Sequence, residues 1–487
     1  MSDAKSSISV RRLDLKLTCD PSRTIVRFFW PGNQQRAKNI FDRVIALNSD
    51  QVTELTRSIE TEFGSRHPEL KDIFHVHFQE AAQRINFSAN TDKQLQELIG
   101  AYFTMEYSSE STALFNPSIV PARDQDGLKA GSVRFIMSLR AVGEGHISSI
   151  VFRKGVIDKD CQVYLEPAAQ QVQRASIVED RSFEKHIFKQ KLIEMDVYDN
   201  EIQSILDKLG EKFLMQDLFD AIEQIKSASE PTLRLQAADH NLIWLAKSNY
   251  EIRLKKGDDL TEMVLFPISE IESHGLEDMR LVCFREDDGT AKYYGTYTAF
   301  DGQRILPQLM ESSKPGIAHV HTLNGKFAQN KGMALFPRMV NGLYSMIARV
   351  DGENLFLLQS DNIRFWDKGV KIQQPKYPWE FMQIGNCGSP IETSDGWLLL
   401  THGVGAMRKY CMGCILLDPK DPSKVIGQLK EPLLAPEADE RSGYVPNVVY
   451  SCGGMLHNGS LVIPYGISDS ATGFAVVSLE ELLSHLK

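Results

Sequence analysis

The chain has 487 residues, 42% hydrophobic and 24% charged, with a net charge of −10. That composition predicts a globular chain large enough for a broad core or for two or three units. The acidic balance, with no run of Lys or Arg, argues against nucleic acid or an anionic membrane as partner. No apolar stretch approaches the roughly 20 residues of a membrane span, and the polar opening Met1–Ser7 has no apolar signal region. Seven sparse cysteines fit a reduced, cytoplasmic setting. Cys411 and Cys414 have the spacing of a redox or zinc half-motif, but they sit in an apolar strand-like run without a second pair, so no metal is expected.

Residues 1–105 begin with strand-like runs at Val10–Leu17 and Thr24–Phe29 and then turn helical. Asn48-Ser49-Asp50 is an N-cap signal ahead of Val52, Leu55, Ile59 and Phe63, which recur at helical spacing. Further helices are expected near Leu70–Ile85 and Asp92–Thr104, making this segment a helical cap packed on a larger domain, residues 106–487. That domain opens with a strand at Ala113–Pro121 containing a proline-bounded loop, then a hairpin of Val133–Ala141 and His146–Phe152. Residues from about 165 to 228 read as a helical insertion, with Asp196–Lys212 and Met215–Ser227 as its helices. It would cover a cleft or join copies in a homo-oligomer. From about 230 onward the chain reads as almost all β, punctuated by turn pairs such as Asp288-Gly289, Asn341-Gly342 and Asn458-Gly459.

Between the strand-like runs Met263–Pro267 and Leu281–Phe284 lies His274-Gly275-Leu276-Glu277-Asp278-Met279-Arg280. Strand alternation puts Glu277 and Asp278 on opposite faces, so one can enter a cleft while the other meets Arg280 or solvent. A partly desolvated carboxyl has a raised pKa and can act as a general acid. An acidic turn with a local ion pair explains the same residues.

Five strand centres resemble one another: Met137–Arg140, Gly295–Thr298, Met346–Arg349, Leu399–His402 and Val462–Tyr465. The last four recur every 50 to 60 residues or so, the mark of a β-propeller. Each ends an apolar strand with a polar residue: Arg140, Thr298, Arg349, His402 and Tyr465. Crowding of inner strands about one axis would bring these residues into a shared funnel.

The blocks Phe115–Pro121, Ser138–Ala141, Gly275–Arg280, Tyr294–Ala299, Asn330–Arg338, Asp395–Gly403 and Tyr465–Asp469 carry a resemblance. In order and spacing the chain from about 110 to its end, the helical insertion apart, resembles glycoside hydrolase family 130. These are five-bladed β-propellers that act on β-mannosides by phosphorolysis or hydrolysis. The resemblance implies Asp278 as proton donor. It implies that Asn116, Ser118, Arg140, Lys331, His402 and Asp469 line sugar and phosphate subsites. The sequence departs from the family at Met279, where proline is usual, at Thr401, where tyrosine is usual, and in the loop Asn386–Pro390, which is less proline-rich.

Inverting cleavage needs an acid on the leaving oxygen and a nucleophile from the opposite face. If the nucleophile is inorganic phosphate as co-substrate, cations must hold it, and Arg140, Lys331, Arg349 and His402 are the candidates. If it is water, a second carboxylate roughly 6.5–9.5 Å from the first must act as base. Glu311 is the best-placed candidate, with Glu277 and Glu144 behind it. Asn116, Ser118, Arg140, Glu277, Arg280, Thr298, Tyr465 and Asp469 make up the expected substrate-binding set. Each has a plain structural alternative: Arg140 and Arg349 as ion-pair partners, Lys331 as a turn lysine, His402 as a core histidine, Asp469 as a turn residue, Glu311 as a surface acid. Trp366, Trp379 and Trp397 suit sugar stacking or packing between blades.

The expected protein is therefore a mainly β, five-bladed propeller with a helical cap and insertion and no cofactor. It would cleave a β-linked mannoside oligosaccharide or small glycoside with inversion, by phosphorolysis to mannose 1-phosphate in preference to hydrolysis. The rivals are a non-catalytic carbohydrate-binding propeller and a protein-interaction propeller.

Overall fold

The structure, a computed structural model, describes residues 8–67, 69–88, 91–169, 172–174, 176–178, 182–228, 232–253, 260–314 and 316–486. Contacts divide the chain into two units, Met1–Cys19 with Thr112–Ala168 and Ala175–Lys487, and Asp20–Ser111 with Ala169–Arg174. Among the described residues the chain is mainly β, with nine α-helices.

In the smaller unit Thr24–Phe28 pairs antiparallel with Thr104–Ser108. Between these strands run the helices Gln34–Ile45, Ser49–Phe63, Leu70–Arg84 and Lys93–Tyr102. Their starts are set by side chains that satisfy otherwise unpaired amides. Asn48 accepts from the Gln51 amide while the Gln51 side chain returns to Asn48, and Asp92 accepts from Leu95. Phe41, Phe78, Leu98 and Phe103 fill the core.

The larger unit contains five antiparallel meanders. The first runs through Ala113–Pro121, Val133–Val142, Ser148–Ile157 and Val163–Leu165. The second is Gly275–Arg285, Ala291–Phe300, Ile305–Lys314 and Ile317–Thr322, extended by Tyr250–Arg253. The third is Lys331–Leu335, Tyr344–Arg349, Leu355–Ser360 and Gly369–Gln373. In the fourth, Gln383–Asn386 and Ile391–Thr393 share the neighbour Gly396–Val404, followed by Tyr410–Leu417 and Val425–Gln428. In the fifth, Val449–Tyr450 and Met455–His457 share Ser460–Ile467, followed by Ala471–Ser478. Its outer strand is Val10–Arg12, from the other end of the chain. Two-residue turns with left-handed backbone, such as Asn341-Gly342 (φ 53° and 76°) and Asn458-Gly459 (φ 44° and 73°), suit the twist of the strands they join.

Consecutive meanders touch through backbone. Gly275 pairs with Ser148, the Arg285 amide donates to Pro337 and Ile384 to Glu353, Tyr410 to Asn447, and Cys452 of the fifth meander to Pro117 of the first. Apolar clusters fill the spaces between them. Phe284 and Leu309 of the second meet Leu335 and Trp366 of the third. Phe336 and Leu357 meet Trp397 and Ile415, and Leu398 and Leu400 meet Leu461 and Ile463. Each sheet thus covers a face its neighbour cannot bury alone. Trp366 and Trp397 are fully buried in these layers.

The inserted helices are Lys185–Glu194, Asn200–Leu206, Met215–Ala228 and Leu233–Lys247, whose apolar faces join Ile150, Phe152 and Leu281 in one core. Three expectations need correction. The helix expected over 196–212 starts later, behind the Asp199 cap, and stops at Leu206, while Lys212–Leu214 pairs with Ser182–Glu184 as a strand. The helical part also runs past 228, because Thr232 caps a further helix that buries Leu235, Ala238, Leu242 and Leu245. The strand expected over 10–17 shortens to Val10–Arg12.

Candidate active site

The first strand of every meander bulges. One extra residue separates Phe115 from Ser118, Glu277 from Arg280 and Lys331 from Ala334, relative to the strand alongside. Similar slips separate Asn386 from Ile391 and Tyr450 from Met455. A bulge re-aims side chains and increases local twist. Here it uses left-handed backbone at Asn116 (φ 50°), Asp278 (φ 54°), Gly332 (φ 92°) and Gly388 (φ 92°), a region Asn, Asp and Gly tolerate best. The bulge corrects the expectation for Glu277 and Asp278: strict alternation fails at this point, and both line one cavity of about 190 Å³.

Asn116, Arg140, Arg280, Thr298, Lys331, Arg349, His402 and Asp469 line the same cavity. The register explains four of them. Arg140 lies opposite Phe115, Thr298 opposite Glu277, Arg349 opposite Lys331 and His402 opposite Gly385, all at the bulged ends of the second strands. In the fifth meander that station belongs to Gly466, where a Cβ would come 2.7 Å from Asn116 Oδ1. Tyr465 is one residue out of step, so its side chain takes the other face and donates to Glu440 at 2.6 Å.

The carboxylates are held by cations. Glu277 accepts from Arg140 Nη2 at 2.8 Å and from Lys331 Nζ. Asp278 Oδ1 accepts from Asn116 Nδ2 at 2.8 Å and lies 3.6 Å from Arg140 Nη1. Burial pushes the Asp278 carboxyl up, but Arg140, Arg280, Asn116 and Lys331 together outweigh burial and hold it below the ordinary value. Asp469 behaves oppositely. Burial and the neighbouring Asp278 charge raise its pKa to about 6 against the pull of Arg140 and Arg408. Burial, with Arg349 and Arg280 nearby, keeps His402 neutral well below its usual pKa. Its Nε2 lies 3.4 Å from Arg349 Nη1. Arg280 Nη2 donates to the Tyr450 hydroxyl at 2.6 Å. Five cations (Arg140, Arg280, Lys331, Arg349, Arg408) therefore face three carboxyls (Glu277, Asp278, Asp469).

Four expected residues lie elsewhere. Glu311, on the third strand of the second meander, sits opposite Tyr294 and His319 and 4.0 Å from Lys292, outside the cavity. Ser118, fully buried, accepts from the Leu281 amide at 3.0 Å and so ties the first meander to the second. Tyr465 faces Glu440. Glu144 is exposed in a hairpin loop. The departures at Met279 and Thr401 also avoid the cavity lining. Met279 packs against Gly295 and Thr401 against Gly413. Cys411 and Cys414, three apart on one strand, face opposite sides of it, and burial raises both thiols. Among the described residues no group of three or more His, Cys, Asp or Glu is arranged to hold a metal.

Sequence reasoning missed Asn386, Arg408, Tyr410, Val445, Val448 and Tyr450, which complete the lining. A signal for Arg408 was present. Its hairpin, Gly405–Lys409, occupies the same place in the fourth meander as Gly143–Ile147 in the first, each closing a second and third strand over five residues.

Carboxyls set beside a surplus of fixed cations, in a cavity of sugar size lined by polar side chains, define the cleft of a carbohydrate-active enzyme. The family profile described as beta-1,4-mannooligosaccharide phosphorylase matches residues 240–487, and the chain belongs to that family, glycoside hydrolase family 130. It is 35% identical over 234 residues to a 1,2-beta-oligomannan phosphorylase of Thermoanaerobacter sp. (strain X514), covering 46% of this chain and 75% of that one. It is 38% identical over 218 residues to a beta-1,2-mannobiose phosphorylase of the same organism, covering 43% and 69%. Among solved structures, the beta-1,2-mannobiose phosphorylase from Listeria innocua aligns with a TM-score of 0.46 at 22% identity, over 77% of this chain and 92% of that one. Asn116 and Arg140 lie outside the matched span, in the first meander.

Proposed function

We propose that the protein cleaves β-linked mannosides by phosphorolysis with inversion, releasing α-mannose 1-phosphate and the shortened sugar. The observation that carries this reading is Arg349. Its Nη1 lies 3.4 Å from the neutral His402, its Nε has no hydrogen-bond partner among the described residues, and Lys331 and Arg408 line the same cavity. A cavity whose cations outnumber its carboxyls by two suits a phosphate dianion. The hydrolytic alternative loses its best-placed base, because Glu311 lies outside the cavity, and Glu277 within it is tied up by Arg140 and Lys331.

In this mechanism Lys331, Arg349, Arg408 and His402 hold phosphate, while Asn116, Thr298, Arg280 and Asp469 hold the mannose. A phosphate oxygen forms the new bond to the anomeric carbon as the glycosidic bond breaks on the opposite face. Asp278 passes its proton to the leaving oxygen. The cations hold the Asp278 pKa below its ordinary value. Bound phosphate offsets that field and raises the Asp278 pKa, so the acid is loaded as phosphate arrives. The reading also takes the five meanders as blades of one propeller. Backbone contacts from each sheet to the next and from the fifth back to the first support this, as does Val10–Arg12 as outer strand of the last.

Sugar phosphate is expected from β-1,2- and β-1,4-mannobiose only when phosphate is supplied; full turnover in phosphate-free buffer overturns the phosphorylase reading. Asp278→Asn is expected to lower kcat by about 10²–10⁴-fold with disaccharide binding kept. Arg349→Ala is expected to raise the KM for phosphate by about tenfold or more, and equal rises for phosphate and mannoside would count against its assignment.

A further inference from the structure

The loop that lends Val445 to the cavity also carries an exposed aromatic residue that the chemistry above leaves unused. Tyr444 is 53% exposed. Its neighbour Val445 lines the cavity, and the Val445 amide donates to Ser468, the residue before Asp469, at 3.1 Å. Gly443 sits against the same turn so closely that a Cβ would come 2.2 Å from the Ser468 carbonyl oxygen. The loop is therefore seated on the turn that presents Asp469, and Tyr444 stands one residue from the cavity wall.

A second element braces it. His146, held in left-handed backbone (φ 61°) at the tip of the first meander's hairpin, lies with its ring centroid 5.7 Å from that of Tyr444, tilted by 31°, and its Nδ1 is 3.3 Å from the Tyr444 hydroxyl. The matching hairpin of the fourth meander puts Arg408 (φ 54°) into the cavity. One hairpin position thus supplies a cation to the interior and its counterpart supports an exposed aromatic ring next to a lining residue.

We propose that Tyr444, braced by His146, is the platform for the sugar on the leaving-group side of the bond that is cut. An exposed ring with polar atoms at its edge fits the C–H face of a neutral pyranose while its hydroxyls find hydrogen-bond partners. Phosphate and the cleaved mannose fill the cationic interior, so the leaving sugar departs past this loop. The assignment rests on the phosphorolysis reading of the same cavity. It makes Tyr444 a determinant of which sugars are accepted, not a participant in bond cleavage.

The test compares the wild type, Tyr444→Ala and Tyr444→Phe on β-1,2- and β-1,4-mannobiose, with phosphate varied independently. Tyr444→Ala is expected to raise the mannobiose KM about tenfold, with kcat within about twofold and the phosphate KM unchanged. Tyr444→Phe, which keeps the ring and loses only the contact with His146, should stay near the wild type. An unchanged mannobiose KM in Tyr444→Ala, or a parallel rise in the phosphate KM, overturns the platform. Calorimetric binding of mannobiose reads the platform without turnover. A wild type that binds but does not cleave sinks the reaction, and a weaker Tyr444→Ala complex then still upholds the platform. Equal affinities, or no binding by either protein, overturn it.

Discussion

Two aspartates in one cavity are tuned in opposite directions, and the cause is the distribution of neighbours. Asp278 has Asn116 and Arg140 at hydrogen-bond or ion-pair distance, whereas Asp469 is buried beside the Asp278 charge. With its folded pKa raised to about 6, Asp469 holds a proton more tightly in the folded than in the unfolded chain. Stability therefore falls as pH rises from about 4 to about 6, and the cost persists above that window. Asp469→Asn is expected to gain about 1–2 kcal/mol at pH 8 and almost nothing at pH 3, read as a melting-midpoint shift present at one pH and absent at the other. Asp278, with its pKa lowered, acts in the reverse sense: its contribution is present above the ordinary carboxyl range and is lost as pH falls below it. The residue types of this site were legible, since Asp278, Arg140, Lys331, His402 and Asp469 stand in the blocks that resemble the family and Arg349 ends one of the repeated strand centres. Which aspartate holds a proton was not, because that depends on burial and on groups brought in from separate strands, Asn116 and Arg140 among them.

At the scale of elements, strands were legible and bulges were not. Alternating apolar residues and Asn-Gly turns mark strands and hairpins locally. A bulge is set by a partner strand's register, and the left-handed conformation of Asn116 or Asp278 leaves no trace in hydrophobic periodicity. This is why Tyr465 was expected in the cavity when the station belongs to Gly466. The same device gives a test. Gly388 (φ 92°) would bring a Cβ 2.3 Å from the Cys452 carbonyl oxygen, so Gly388→Ala is expected to destabilise by about 1–3 kcal/mol. It should also disturb the cavity wall by displacing Asn386 and its bond to the Gly388 carbonyl. A variant that melts like the wild type would show that the bulge is not needed. The helix Leu233–Lys247 is a different failure: its Thr232 cap and three- and four-residue spacing were present, but the β turn signals farther along drew the boundary too early.

At the scale of the molecule, the fifth meander takes its outer strand from Val10–Arg12, and Arg12 then reaches Glu437 and Glu440. Removing residues 1–12 would strip the partner strand from Ala475–Val477, leaving only the bonds of Leu13 to Phe474 and of Leu17 to Thr472 along that edge. The truncated chain is expected to melt several degrees lower and to associate more readily, measured by thermal unfolding and light scattering; an unchanged midpoint would mean that the strand does not stabilise the sheet. By itself the sequence determined a mainly β chain of repeated antiparallel units, a family and most of the polar residues in the cavity, because hydrophobic alternation, turn chemistry and ordered motifs are properties of neighbouring residues. Only the tertiary structure decided that Glu277 and Asp278 share one cavity, that Glu311, Ser118 and Tyr465 lie outside it and that Arg408 and Tyr450 lie within it. Those outcomes depend on strand register and on charges brought together from separate sheets, and neither exists until the chain has folded.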